Sequence, residues 1–327
     1  MVRFDREIQV KSFGDLRLAY NVIGYPDEGE SIVFSLLNKQ NPVFTIVTDC
    51  FKANNYNHTV EILEEYGVNA IDAFVWTHPD YDHSVGIEEL LELYDHDHQA
   101  MIFLPETFNK GNKDYGICVE AQNAISYLME NYDSGRKYRI NFIGLNSGES
   151  PRVFSQIKIS ELSTSHEVFF SMAFLAPNSD LAERRDGKGG DFLLNDLSLV
   201  YVIRLNGCDY LFTGDLSEQT IQFLDQDYLN NVRFIKIPHH GSKNAKGLIG
   251  LLKENKIHEA ISVCTTFSKK NLPEKDILIG YRLLGEKVFC TGTGSEKYGC
   301  VKTMFKMRGD VETEPELFGN AYLFLDE

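Results

Sequence analysis

Hydrophobic and polar positions divide this chain into short blocks whose period switches between that of strands and that of helices. Four early segments, "REIQVKSF", "LRLAYNVIG", "ESIVFSLLN" and "VFTIVTDC", are rich in β-branched and aromatic residues and are separated by Gly, Pro and Asn. That pattern predicts strands. In "HTVEILEEYG" the apolar residues fall on one face of a helix that closes on Gly67. The strand "AIDAFVW" follows, then a helix at "GIEELLELYD", a strand at "AMIFLP" and a long helix around Tyr115 to Asn131. Further strands are expected at "YRINFIG" and "FSQIKIS", and a polar, glycine-rich loop at "LAERRDGKGGDFLLND".

Beyond that loop the pattern is strand-rich again, with "LSLVYVIRL" and "DYLFTGD" before a helix at "SEQTIQFLDQDYL" and a strand at "VRFIKIP". The helix "AKGLIGLLKEN", the strand "EAISVCT", the helix "EKDILIGYRLLG" and the strand "KVFCTG" complete the body, and the C-terminal segment predicts closing strands. Strands in both halves with helices between them predict two mixed sheets packed face to face, with helices outside. No Pro/Ser-rich linker and no internal repeat interrupts the 327 residues, so 1–327 is read as a single domain.

Composition adds limits rather than a function. At 43% hydrophobic residues the chain can fill a sizeable core, and its aromatic residues are expected to pack between the sheets rather than stack on bases. The net charge is −16, from 48 acidic and 32 basic residues. A protein that grips duplex DNA through a broad electrostatic face is normally basic, so tight non-specific duplex binding is disfavoured. A small phosphate-bearing substrate is not. Six scattered cysteines without a C-x-x-C pair read as free thiols in a reducing compartment. No apolar signal core and no long apolar run occurs, which predicts a soluble, cytoplasmic protein with no membrane association.

Candidate chemistry lies at three strand ends. "WTHPDYDHSVG" releases the strand "AIDAFVW" into His78, Asp80, Asp82 and His83. "DYLFTGD" ends in Thr213-Gly214-Asp215, and "RFIKIPHHGS" in His239-His240-Gly241-Ser242. Imidazole and carboxylate together suit zinc, manganese or iron in hydrolytic sites, and rigid scaffolds place catalytic groups on such loops. One cluster alone could be a solvated turn. Three independent turns of this kind would rarely arise in one chain.

These residues resemble the metallo-β-lactamase superfamily, and within it the DNA-uptake (ComEC-type) branch. The first motif, H-x-H-x-D-H, reads here His78-x-Asp80-x-Asp82-His83; "NDLSLV" and "TGD" are similar to the branch's N-x-x-S-L-V strand and its T-G-D turn, and "IKIPHHGS" to V-P-H-H-G-S. The resemblance runs in order over roughly residues 30 to 295. It implies a four-layer αββα sandwich, α/β in class, carrying one or two divalent metal ions (zinc or manganese, with magnesium as a third option). By that resemblance His78 and Asp80 hold one metal and Asp82 and His83 the other. Asp215 bridges them, His239 or His240 completes the second site, Asp82 also orients the nucleophile, and Ser242 contacts substrate phosphate. Asp49, at the early strand-end position, would support the metal loop.

The chain also departs from the family pattern. Asp80 replaces a histidine, which hardens the first site towards manganese or magnesium. The third-motif histidine has no counterpart, with His166 the only candidate, and Leu272 stands where a C-terminal histidine is expected. The H-x-H look-alike in "YDHDHQ" follows a helix and is read as a helix-end histidine. The leading expectation is a metal-dependent phosphodiester hydrolase, a nuclease or phosphodiesterase using a metal-activated hydroxide. Its substrate would be nucleic acid or a small phosphodiester, and a protein partner or homo-oligomer would set its context. The alternative is a catalytically degenerate binding or regulatory module on the same fold.

Overall fold

The computed structural model describes residues 6–106, 108, 117–132, 139–146, 151–162, 164, 166–179, 181, 194–285 and 287–325. In the first half the strands are β1 (Glu7–Val10), β2 (Leu16–Gly24), β3 (Glu30–Asn38), β4 (Asn41–Thr48), β5 (Ala73–Val75), β6 (Met101–Pro105), β7 (Ile140–Ile143) and β8 (Arg152–Glu161). In the second half they are β9 (Glu167–Ala176), β10 (Val200–Leu205), β11 (Cys208–Phe212), β12 (Val232–Lys236), β13 (Ile261–Cys264), β14 (Lys287–Cys290), β15 (Gly299–Lys306), β16 (Glu316–Gly319) and β17 (Tyr322–Leu323).

They form two sheets, ordered β16-β15-β2-β3-β4-β5-β6-β7 and β1-β8-β9-β10-β11-β12-β13-β14-β17. Each sheet has an antiparallel part, built on β2-β3-β4 or β8-β9-β10-β11, that continues into a parallel part, β4-β5-β6-β7 or β11-β12-β13-β14. The two sheets therefore repeat one arrangement, although the sequence carries no visible repeat. The C-terminal strands β16 and β17 close one edge of each sheet.

Side-chain alternation along the strands separates the layers. Ile32, Phe34 and Leu36 of β3 join Tyr20, Tyr201, Tyr210 and Phe234 in the core between the sheets, while Val33 faces outward. This is the period of two expected of strands buried on both faces. Tyr20 stacks on Tyr210 at 5.1 Å and on Phe234 at 4.8 Å, so aromatic residues do fill the inter-sheet core. Helices His58–Glu65, Ile87–Tyr94 and Val119–Tyr132 cover the outside of the first sheet through residues such as Leu63, Leu90, Leu91 and Leu128. Helices Gly247–Glu254 and Lys275–Arg282 cover the second through Leu248, Leu252, Ile277 and Tyr281. The result is the four-layer αββα sandwich.

Three elements differ from the sequence expectation, one of them β9, a ten-residue strand where none was expected. "SEQTIQFLDQDYL" is not one helix but a single turn, Glu218–Ile221, and a 3-10 turn, Gln226–Tyr228. Asp225 interrupts it by accepting from the Asp227 amide at 2.9 Å, an N-cap bond that starts a new turn. The opening strand β1 does not pair with its sequence neighbours; it lies parallel to β8 in the other sheet, with Ile8 opposite Ile159. The loop expected at 181–196 and the start of the helix expected from Tyr115 fall largely outside the described residues. No described helix is long and apolar enough to cross a membrane.

The parallel parts also place the site. The chain leaves β4 at Asp49, β5 at Thr77 and His78, β11 at Thr213 to Asp215, β12 at His239 and His240, and β13 at Thr265. All five departures are C-terminal strand ends, where open α/β sheets gather their functional loops.

Candidate metal centre

Three backbone contacts hold the loops together. Leu199 N donates to Thr77 O at 3.0 Å and His239 N to Gly214 O at 3.1 Å, while Asp49 N reaches Val75 O at 2.9 Å. Gly214 adopts φ +48°, and a Cβ there would lie 2.9 Å from the Thr77 Cβ, so this close approach of two loops requires glycine. His239, His240 and Gly241 follow one another with φ of 48°, 51° and 76°. Left-handed backbone at two histidines in succession is costly and collects at functional sites. Here it turns the two adjacent imidazoles towards different oxygens of one carboxylate.

That carboxylate is Asp215. His78 Nε2 lies 3.8 Å and His239 Nε2 3.9 Å from its Oδ2, and Asp80 Oδ2 lies 3.4 Å from His78 Nε2. On the other side His83 Nε2 lies 3.7 Å and His240 Nε2 3.8 Å from Oδ1. Asp82 Oδ2 stands between those two rings, 3.6 Å from His83 Nε2 and 3.1 Å from His240 Nε2. The donors thus fall into two sets that share Asp215. Ligand atoms around one tetrahedral ion with bonds of about 2.0–2.1 Å stand about 3.3 Å apart, close to these separations.

Three of these donor atoms also lack other partners: His78 Nε2, His83 Nε2 and Asp215 Oδ1 are buried without any hydrogen bond. Buried polar atoms are nearly always paired, so three orphans in one cluster fit an ion that would occupy the space between them. Burial and the nearby His83 push the His78 imidazole down, but Asp80 and Asp215 prevail and hold it above its ordinary range. His83 is likewise raised well above its range, against burial, by Asp82, Asp49 and Glu30. Asp215 is lowered, against burial, by His240, His239, His83 and His78. The carboxylates draw positive charge into the cluster, which a divalent cation would supply with release of protons.

A second tier fixes the rings. Asp49 accepts from Thr77 N and from Thr77 Oγ1, each at 2.7 Å, and contacts His83 Nδ1 at 2.8 Å. With its hydrogen spent on Asp49, Thr77 Oγ1 accepts from His78 Nδ1 at 3.0 Å. Each ring therefore carries its proton on Nδ1 and turns the lone pair of Nε2 inward, the usual orientation of ligating histidines. Asp49→Ala is expected to lower metal affinity about 10–100-fold while the fold persists. Titration of the apoprotein with manganese, read by calorimetry, checks it; unchanged affinity would make Asp49 a turn residue only.

Glu30 and Lys236 were not among the residues singled out from sequence. Glu30 lies beneath both rings of the second set, its Oε1 3.9 Å from His83 Nδ1 and its Oε2 3.6 Å from His240 Nδ1. Its donors and those of His83, Asp215 and His240 all lie within 4.8 Å of one another. It sits on the Nδ1 side of the rings, however, and is already bonded to Lys236 Nζ at 2.7 Å and to Thr265 Oγ1, which in turn meets His240 Nδ1 at 3.0 Å. Glu30 is therefore a positioning group rather than a ligand. Burial disfavours both charges of the pair, yet Lys236 holds the Glu30 carboxyl below its usual range and Glu30 holds the Lys236 ammonium above its own.

The remaining candidates are placed as follows. Ser242 Oγ accepts from Asn244 N at 3.2 Å and so caps the next turn. His166 is exposed at the turn between β8 and β9, whereas Ala176, at the opposite end of the ten-residue β9, pairs with Val200 beside the site. A strand of that length spans about 30 Å, which removes His166 from the cluster. On the His78 side of Asp215 stand His239 and Asn195, whose Nδ2 donates to Asp215 Oδ2 at 3.0 Å. Leu272 precedes Pro273, which packs against Gly241, so an apolar turn supports the His239-His240 loop where another histidine was expected.

No protein-family model and no curated protein matches the chain. Among solved structures it is similar to a diphosphatase of the PhnP family, at 11% identity over 88% of this chain and 97% of that one, with a TM-score of 0.41. It is also similar to a HARLDQ-motif mutant of the metallo-β-lactamase from Cronobacter sakazakii, at 13% identity over 59% and 60% of the two chains and a TM-score of 0.31. A third is MEM-A1, a subclass B3 metallo-β-lactamase from a soil metagenome library, at 11% identity over 77% and 81% and a TM-score of 0.33.

Proposed function

We propose that this chain is a metal-dependent hydrolase of phosphodiester bonds, a nuclease or phosphodiesterase of the metallo-β-lactamase superfamily. The carrying observation is the set of buried, unpartnered donors gathered on both sides of Asp215. In this reading His78, Asp80, His239 and Asp215 would hold one ion, and Asp82, His83, His240 and Asp215 the other. Divalent ions there would supply Lewis-acid stabilisation of a phosphoryl oxygen and lower the pKa of water towards neutrality. The order of the motifs at 78–83, 213–215 and 238–242 supports membership of the DNA-uptake branch.

The chain's own groups orient the reaction. His78, His83 and His240 are fully buried, whereas the side chains of Asp80 and His239 are 34% and 19% exposed. The mouth therefore opens beside Asp80 and His239, and the phosphoester enters there. Asp82, wedged between His83 and His240, is the carboxylate placed to hold the proton of the attacking water. The charge of −16 supports a small phosphodiester or a single strand over a tightly held duplex. Free thiols at all six cysteines support a cytoplasmic setting.

Metal content of the purified protein, followed by assays on single-stranded DNA, duplex DNA, RNA and bis-p-nitrophenyl phosphate, tests the reading. A protein that binds no transition metal and shows no manganese-stimulated cleavage would sink it. Asp80 is the hard oxygen donor of the first set, so Asp80→His is expected to shift metal preference from manganese towards zinc. Competitive loading with both ions measures this, and an unchanged ratio would place Asp80 outside the coordination shell.

A further inference from the structure

The ligand loop 78–83, together with the segments that follow Asp49 and Thr265, continues into the wall of a cavity of about 500 Å³. Tyr81, between Asp80 and Asp82, lines it. Phe51, two residues beyond Asp49, lines it as well, its ring edge-on to Tyr81 at 5.8 Å. Phe267 meets the His240 ring edge-on at 5.1 Å, and Lys269, two residues on, also reaches the cavity. Tyr25 and Tyr56 complete an aromatic lining. The space is of the size that takes a small molecule rather than a polymer segment.

Charge on the wall is balanced. Its lysines are Lys52, Lys269 and Lys297, and its carboxylates Asp27, Glu28 and Glu296. Lys52 is paired with Glu89 at 2.6 Å, Lys269 with Glu28, and Lys297 lies 4.6 Å over the Tyr56 ring. Such a wall does not select a further anion. It offers the accessible rings of Tyr81 and Tyr56, backed by the buried Phe51 and Tyr25, to a flat ring and hydrogen-bonding groups to that ring's rim, the chemistry by which proteins hold bases without reading a duplex.

We infer that this cavity receives the nucleobase, or an equivalent planar aromatic ring, of a phosphoester whose phosphate lies at the metal centre. The inference rests on the hydrolase reading for the placing of the phosphate, and it names the substrate class: a small nucleoside-bearing phosphodiester. Tyr81 belongs to the ligand loop 78–83, whereas Tyr56 lines the cavity from the segment before helix His58–Glu65, outside the ligand loops.

Calorimetric titration of the manganese-loaded protein with 5′-AMP and with ribose 5-phosphate tests it. AMP is expected to bind on the order of tenfold more tightly, the usual scale of base–aromatic stacking. Tyr81→Ala and Tyr56→Ala should each bring AMP close to the affinity of ribose 5-phosphate, with metal content of both variants measured alongside. Equal affinity for the two ligands in the parent protein, or an AMP preference that survives both substitutions, would overturn the inference. A protein that takes up no metal but keeps an AMP preference lost in Tyr56→Ala would refute the hydrolase reading and uphold the cavity assignment.

Discussion

Asp215→Asn is expected to abolish retention of metal through dialysis and to reduce manganese-stimulated cleavage of bis-p-nitrophenyl phosphate by more than about 100-fold. Even residues that only support ligands typically cost 10–100-fold in metal affinity or activity, and Asp215 stands in both donor sets at once. Asparagine keeps the volume and leaves an oxygen able to accept from Asn195 or from a neighbouring imidazole, so the loop has no steric reason to move. What it removes is the negative charge that faces four histidines. A circular dichroism melt separates this local effect from unfolding. If the variant keeps parental metal content and turnover, the two-set description of the centre is wrong, whatever the fate of the fold.

Much of the architecture was legible because buried strands announce themselves by composition and period. β2, β3, β10, β12, β13 and β14 lie within the segments expected, β4 and β11 overlap theirs, and helices such as Ile87–Tyr94 also fall where expected. What pattern does not carry is pairing at a distance. Nothing local in "REIQVKSF" says that β1 joins β8, and nothing in either half declares that the two sheets repeat one arrangement. The helix expected at 217–229 failed for a chemical reason visible only afterwards: Asp225 turns back to cap Asp227.

The centre divides in the same way. His78, Asp80, Asp82, His83 and Asp215 could be picked out because histidine and aspartate are uncommon at the ends of apolar strands. The relation of His239 to His240 could not, since it depends on three successive left-handed residues. The structure turns both towards Asp215 instead of choosing between them. His166 attracted notice as the remaining histidine of suitable order, but the length of β9 separates it from the cluster. Glu30 and Lys236 stayed hidden because each looks like an ordinary charged position in or at the start of a strand. Only the packing of the two sheets buries them together, at 1% and 0% side-chain exposure.

That burial gives the pair the second large expected effect. Lys236→Met should destabilise the apoprotein by about 3–5 kcal/mol, because it leaves the Glu30 carboxylate buried without its cation. Removing both charges, as in Glu30→Leu with Lys236→Met, should recover most of that loss, since apolar groups of similar volume often replace a buried ion pair at little cost. Metal binding should not recover with it. Glu30 meets the Nδ1 side of His83 and His240 and accepts from Thr265, so without it the two rings lose part of what aims their Nε2 atoms at Asp215. Manganese affinity of the double variant is expected to remain about 10–100-fold below that of the parent. Denaturant unfolding gives the first quantity and calorimetry the second. Stability restored together with full metal affinity would reduce Glu30 and Lys236 to core filling, whereas stability restored alone assigns the pair to the orientation of the histidines.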